Sequence, residues 1–150
     1  MAHSITREYS FSAAHMLQGH PKCGRMHGHN YVVWVTAEPR IGPLTGLPYW
    51  VLDFGELDRY VKPIVEALDH RFILTRAHEL PTSMDGPGWV PTGDARKDIV
   101  KINAPSSTAE ALAEWLCKEI QHEFEQHDVN ILVTEVVVWE TQRNSATYRP

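Results

Sequence analysis

The sequence predicts an α+β fold: an antiparallel sheet with helices packed on one face. Three observations predict it. Two segments near the N-terminus alternate apolar and polar residues with a period of two, two later segments repeat apolar residues with a period near 3.6, and the chain closes on a β-branched run. The resulting order is β-β-loop-α-loop-α-β-β.

The first strand is predicted over residues 4–16, where Ile5, Tyr9 and Phe11 set the alternation. A polar segment follows, QGHPKCGRM, punctuated by Gly19, Pro21 and Gly24. The second strand is expected over 27–38, HGHNYVVWVTAE, so the two form an antiparallel hairpin with a connection longer than ordinary hairpin loops. Residues 39–49 read as loop from their Pro and Gly content, and WVLDF at 50–54 as a short extended piece. Asp53 then stands where a helix cap would serve GELDRYVKPIVEALD. Leu57, Tyr60, Val61, Ile64, Val65 and Leu68 give that helix its apolar face, and Pro63 predicts a kink or break within it.

Residues 75–105 have no clean period and carry Pro81, Gly86, Pro87, Gly88, Pro91, Gly93 and Pro105, which reads as a long insertion or lid. The second helix is expected to start at STAE, with Ser107 at the N-cap and Glu110 completing a capping box. Leu112, Leu116, Ile120 and Phe124 line its buried face. VNILVTEVVVWET supplies the next strand, with a return strand near 145–149.

Composition bounds the rest. At 150 residues the chain reads as a single domain spanning 1–150, with 43% apolar and 22% charged residues. A net charge of -5 gives no reason to expect nucleic acid or an anionic membrane as partner. No stretch approaches the roughly 20 apolar residues of a bilayer span. The N-terminus lacks a signal peptide's apolar region, so a cytoplasmic location is expected and Cys23 and Cys117 are read as thiols.

The chemistry-bearing signal is histidine spacing. His27 and His29 lie two apart, so on a strand their imidazoles emerge on one face, and His15 shares the facing set of Tyr9, Phe11 and Ala13 on the partner strand. Three imidazoles meeting this way suit one Zn²⁺, with a fourth position open for water or substrate as in catalytic sites. Cys23 lies between Lys22 and Arg25, whose charges favour a reactive thiolate; the alternative is a fourth zinc ligand. Cys117 reads as a small buried apolar residue. Asp69-His70 ends the first helix as a carboxylate–imidazole pair, although adjacent side chains seldom bond each other and a helix C-terminus favours histidine anyway. Glu140, closing an apolar strand, is either an exposed edge residue or an acceptor for two N–H donors of a guanidine-like ring edge.

FSAAH at 11–15, CGRMHGHNY at 23–31, VLDF at 51–54, LDH at 68–70, STAE at 107–110 and WET at 139–141 together resemble the family of 6-pyruvoyl-tetrahydropterin and 6-carboxytetrahydropterin synthases. The C-x3-H-x-H spacing is similar to that of the carboxy-forming branch. The resemblance covers nearly the whole chain. It implies the tunnelling (T-fold) architecture, a four-stranded antiparallel sheet with two helices on one side, and a homo-oligomer, commonly a dimer of trimers, with active sites at subunit interfaces. It implies one zinc per subunit on His15, His27 and His29. It implies 7,8-dihydroneopterin triphosphate as substrate and 6-carboxytetrahydropterin, acetaldehyde and triphosphate as products, in queuosine or other 7-deazapurine synthesis. It also implies Cys23 as catalytic thiolate, Asp69 and His70 as its relay partners from a neighbouring subunit, and Glu140 as pterin anchor with added contacts from Thr108 and Glu110. Two features depart from the family pattern. Residues 75–105 exceed the matching stretch of compact bacterial members, and Leu74-Thr75 stands where Leu-Asn often follows the LDH motif.

Overall fold

The computed structural model describes residues 3–42, 44, 49–76 and 94–150. The Pro- and Gly-rich part of the expected lid at 77–93 lies outside the described residues.

Strand β1 runs Ile5–His15 and β2 runs His27–Pro39. They pair antiparallel in one unbroken register, from Ile5 opposite Ala37 to His15 opposite His27. Alternation decides which face each residue takes: Tyr9, Phe11, Ala13 and His15 are buried with Tyr31, Val33, Val35 and Ala37. A third strand of the antiparallel set, Ile131–Thr141, pairs with β2 across a bulge at Thr36/Ala37. A final strand, Asn144–Tyr148, returns beside it, where the sequence places one.

The sheet is larger than the four strands expected. Arg71–Leu74 (β3) pairs parallel with β1, and Ile99–Lys101 (β4) pairs parallel with β3. With Ile131–Thr141 as β5 and Asn144–Tyr148 as β6, the spatial order is β4-β3-β1-β2-β5-β6. Runs of four and three residues are too short for a periodicity reading to register, and β4 falls within the segment expected to be irregular. Parallel pairing nevertheless buries Phe72, Ile73 and Leu74.

Helix α1 spans Phe54–Glu66, capped by Asp53, whose carboxylate accepts from the amides of Gly55 at 2.7 Å and Glu56 at 3.3 Å. Pro63 does not break it. The proline is exposed, so the Arg59 carbonyl that loses its i+4 donor faces water. A single turn, Ala95–Asp98 (α2), precedes β4. Helix α3 spans Ala109–Gln126, and its N-cap is Thr108, not Ser107: the Thr108 hydroxyl accepts from the Ala111 amide at 3.4 Å. Glu110 therefore sits exposed in the first turn, and the expected Ser107–Glu110 box does not form. Ser107 is drawn into the interior, where its hydroxyl donates to the Met16 carbonyl at 3.3 Å.

Both long helices pack on one face of the sheet. Leu57, Val61 and Val65 of α1 and Leu112, Leu116, Ile120 and Phe124 of α3 meet the buried side chains of β1, β2 and β5 in one core. The opposite face carries Glu8, Ser10 and Ser12 of β1 and Asn30, Val32 and Trp34 of β2. Trp34 there lies 5.6 Å from the Trp139 ring and donates to Glu8 at 2.9 Å. Among the described residues no helix is long and apolar enough to cross a membrane.

Candidate metal centre

The three histidines sit where the apolar row of the β1–β2 hairpin gives out. His15 faces His27 directly, and Ala13 faces His29 one pair further in. All three share the core face; His15 is completely buried, while His27 and His29 are half-buried at the rim. Gly28, between the two β2 histidines, permits this approach, because a Cβ there would stand 2.9 Å from the Ala13 carbonyl oxygen.

One ligand nitrogen from each ring lies within 4.8 Å of the other two, and among the described residues only these three histidines form such a group. His15 Nε2 and His27 Nε2 are 3.1 Å apart. Their other nitrogens are already committed: His15 Nδ1 lies 2.8 Å from the Ser107 carbonyl and His27 Nδ1 2.7 Å from the Arg25 carbonyl. A carbonyl only accepts, so each Nδ1 carries the proton and each neutral ring keeps its lone pair on Nε2. Two such lone pairs repel at this distance unless a cation or proton lies between them. Zn–N bonds of about 2.0–2.1 Å in a tetrahedron put ligand nitrogens roughly 3.3 Å apart. The donor set therefore fits a divalent ion that takes neutral imidazoles, and the outer N–H bonds to carbonyls are the usual support for such ligands. With three ligands, a tetrahedral ion keeps one position open.

Two cavities flank the cluster, and His29 lines both. One, of about 630 Å³, is also lined by Ser12, Met26, His70, Arg71 and Asp98. The other, of about 720 Å³, is lined by Val32, Trp34, Trp139 and Glu140.

Asp69 and His70 form a bonded pair within one chain. The Asp69 carboxylate accepts from His70 Nδ1 at 2.7 Å and, through its other oxygen, from the Ser12 amide at 2.7 Å. The objection that adjacent side chains seldom meet fails here because His70 adopts φ 56, a left-handed backbone that few non-glycine residues take, with its amide donating to the Ser12 carbonyl at 2.7 Å. The Ser12 amide, aided by His70, holds the Asp69 carboxyl below the ordinary carboxylate range. The pair is thus pinned to the edge of β1, with the His70 ring largely exposed beside the first cavity.

Glu140 continues β5 one residue past the Val32–Trp139 pair and faces the second cavity. Its charge, second to burial, raises the pKa of Tyr31 far above the ordinary phenol value. Cys23 stands outside the histidine group, half-buried in a tight turn where its amide donates to His20 Nδ1 at 2.9 Å and its carbonyl accepts from the Leu17 amide at 2.7 Å. Thr108 is occupied as the α3 cap and Glu110 points to solvent; neither lines the two cavities. Cys117 is buried as expected, its thiol pushed up to about 11 by desolvation.

Sequence reasoning missed three contributors. The Ser107 and Arg25 carbonyls that select the histidine tautomers are main-chain atoms, and no residue type announces them. Tyr31 was legible in principle, since it shares parity with His27 and His29.

A sheet with two long helices on one face and three imidazoles at the end of its central hairpin has the tunnelling fold of the solved 6-pyruvoyltetrahydropterin synthases it superposes on. The chain belongs to the 6-pyruvoyl tetrahydropterin synthase family, whose model matches residues 4–150. It is 33% identical to the 6-carboxy-5,6,7,8-tetrahydropterin synthase of Rickettsia typhi, over 91% of this chain and 93% of that one. With the enzyme of the same name from Haemophilus influenzae it shares 26% identity, over 97% of both chains. Among solved structures, the 6-pyruvoyltetrahydropterin synthase of Plasmodium vivax superposes with a TM-score of 0.75 at 20% identity, covering 100% of this chain and 98% of that one.

Proposed function

We propose that this chain is a zinc-dependent 6-carboxytetrahydropterin synthase acting on 7,8-dihydroneopterin triphosphate. The observation that carries the reading is the convergence of His15, His27 and His29, with main-chain carbonyls fixing the tautomers of His15 and His27, beside two cavities that hold His70 and Glu140. Similarity over nearly the full chain to relatives named for this activity supports the same reading.

In this account the three histidines hold the ion, one per subunit. When bound, zinc supplies Lewis-acid polarisation of the substrate's side-chain hydroxyls, which makes the neighbouring carbon easier to deprotonate. The protein's own residues do the rest. Cys23 as thiolate and His70, steadied by Asp69, remove and return protons at the side chain. Glu140 accepts two N–H bonds from the pterin's guanidine-like edge, which fixes the ring and aims its side chain at the cluster. Asp69 and His70 are supplied by a neighbouring subunit, in a dimer of trimers with its active sites at subunit interfaces, and Thr108 and Glu110 add contacts to the pterin. The products are 6-carboxytetrahydropterin, acetaldehyde and triphosphate, and the setting is cytoplasmic.

The test is incubation with 7,8-dihydroneopterin triphosphate followed by mass spectrometry of the pterin. A 6-carboxy product with release of acetaldehyde is expected. A pterin retaining its three-carbon side chain would replace this reading with pyruvoyl formation, and no turnover by zinc-loaded protein would favour a binding protein. Cys23→Ala is expected to abolish turnover and leave the metal in place.

A further inference from the structure

We infer that Tyr31 is a positioning residue of the metal centre, sharing the outer N–H of His15 with the Ser107 carbonyl and bracing two of the three ligand rings. The inference rests on the metal reading above.

His15 is the ligand with the least freedom, completely buried at the end of β1. Its Nδ1–H has two acceptors: the Ser107 carbonyl at 2.8 Å and the Tyr31 phenolic oxygen at 3.3 Å. The first comes from a loop 92 positions along the chain, the second from the same strand as the other two ligands. Tyr31 is itself completely buried and stacks on Phe11 at 4.7 Å with planes 15° apart, so its ring has no room to swing. The same ring meets His15 edge-on at 6.0 Å and His29 at 5.4 Å. One side chain therefore touches ligands on both strands of the hairpin and fixes the rotation of His15 about its ring axis. A ligand ring free to turn must be ordered when the ion binds, whereas a ring held on two acceptors is ordered beforehand. Glu140, whose charge Tyr31 also feels, lines the second cavity together with His29.

Tyr31→Phe removes only the oxygen and leaves the stack on Phe11. Tyr9→Phe is the control: Tyr9 is another buried tyrosine of the same hairpin, on the core face of β1, and none of its ring contacts are with the histidines. Zinc affinity is measured on the full chain by competition with a chromophoric chelator, and the ligand field by the visible spectrum of the cobalt(II)-substituted protein. Tyr31→Phe is expected to weaken zinc roughly tenfold and to alter the cobalt bands, with the melting temperature of the metal-free protein close to wild type. Tyr9→Phe is expected to leave affinity and spectrum unchanged. Affinity within twofold of wild type and an identical cobalt spectrum for Tyr31→Phe would overturn the inference, as would an equal loss in Tyr9→Phe. Wild-type protein that takes up no zinc would instead overturn the metal reading beneath it.

Discussion

At the scale of single residues, the site is governed by which nitrogen of each imidazole carries a proton. Main-chain carbonyls decide this for His15 and His27. The histidine positions were legible because a strand's period of two maps spacing directly onto faces. The tautomers were not legible, since the deciding oxygens belong to every residue type alike. Asp69 yields a pH prediction. Its folded pKa lies below its ordinary value of 3.8, so its bonds to Ser12 and His70 stabilise the fold above that value, and the contribution disappears as pH falls through the lower, folded pKa. Asp69→Asn should therefore unfold at lower urea than wild type at neutral pH, by less than about 1 kcal/mol because the pair is partly exposed. The two midpoints should converge as pH falls below the folded pKa of Asp69. A gap that is absent at neutral pH, or that widens in acid, contradicts this role for Asp69.

Elements place those residues. The β1–β2 hairpin and both long helices could be read from apolar periodicity, because their buried faces run through many repeats: Tyr31 to Ala37 on one strand, Leu112 to Phe124 on one helix. What could not be read was set by tertiary contact. β3 and β4 are short pieces that become strands only by pairing beside β1. The cap of α3 moved from Ser107 to Thr108 because Ser107 is claimed by His15 and Met16. Two predictions belong here. Gly28→Ala pushes a methyl group toward the Ala13 carbonyl at the pair next to His15–His27, and should cost about 1–3 kcal/mol in urea unfolding together with a marked loss of metal affinity. A variant with wild-type stability and affinity would show that the close strand approach is not needed. Thr108→Ala removes the α3 cap and should cost about 1 kcal/mol. No change in its urea midpoint would mean that the 3.4 Å cap bond carries no weight.

The whole molecule brings together residues that are far apart in the chain. β1 supplies one histidine of the cluster, β2 two, and the lead-in to α3 the carbonyl that orients the first. The substrate proposed for this site rests on the family resemblance; the spacing of three histidines could not name one. In the assembled protein the proposed dimer of trimers predicts a hexamer by light scattering, and a monomer at assay concentration would remove the interfacial account of Asp69 and His70. Because the ligands come from two strands and their support from a third segment, occupying the centre should tie these segments together and raise the melting temperature. The most direct test of the central claim is the zinc content of protein purified without chelator, measured by elemental analysis on wild type and His15→Ala. The account predicts about one zinc per wild-type chain and almost none in the variant. Wild-type protein without zinc, or a variant that retains it in full, would contradict the three-histidine centre.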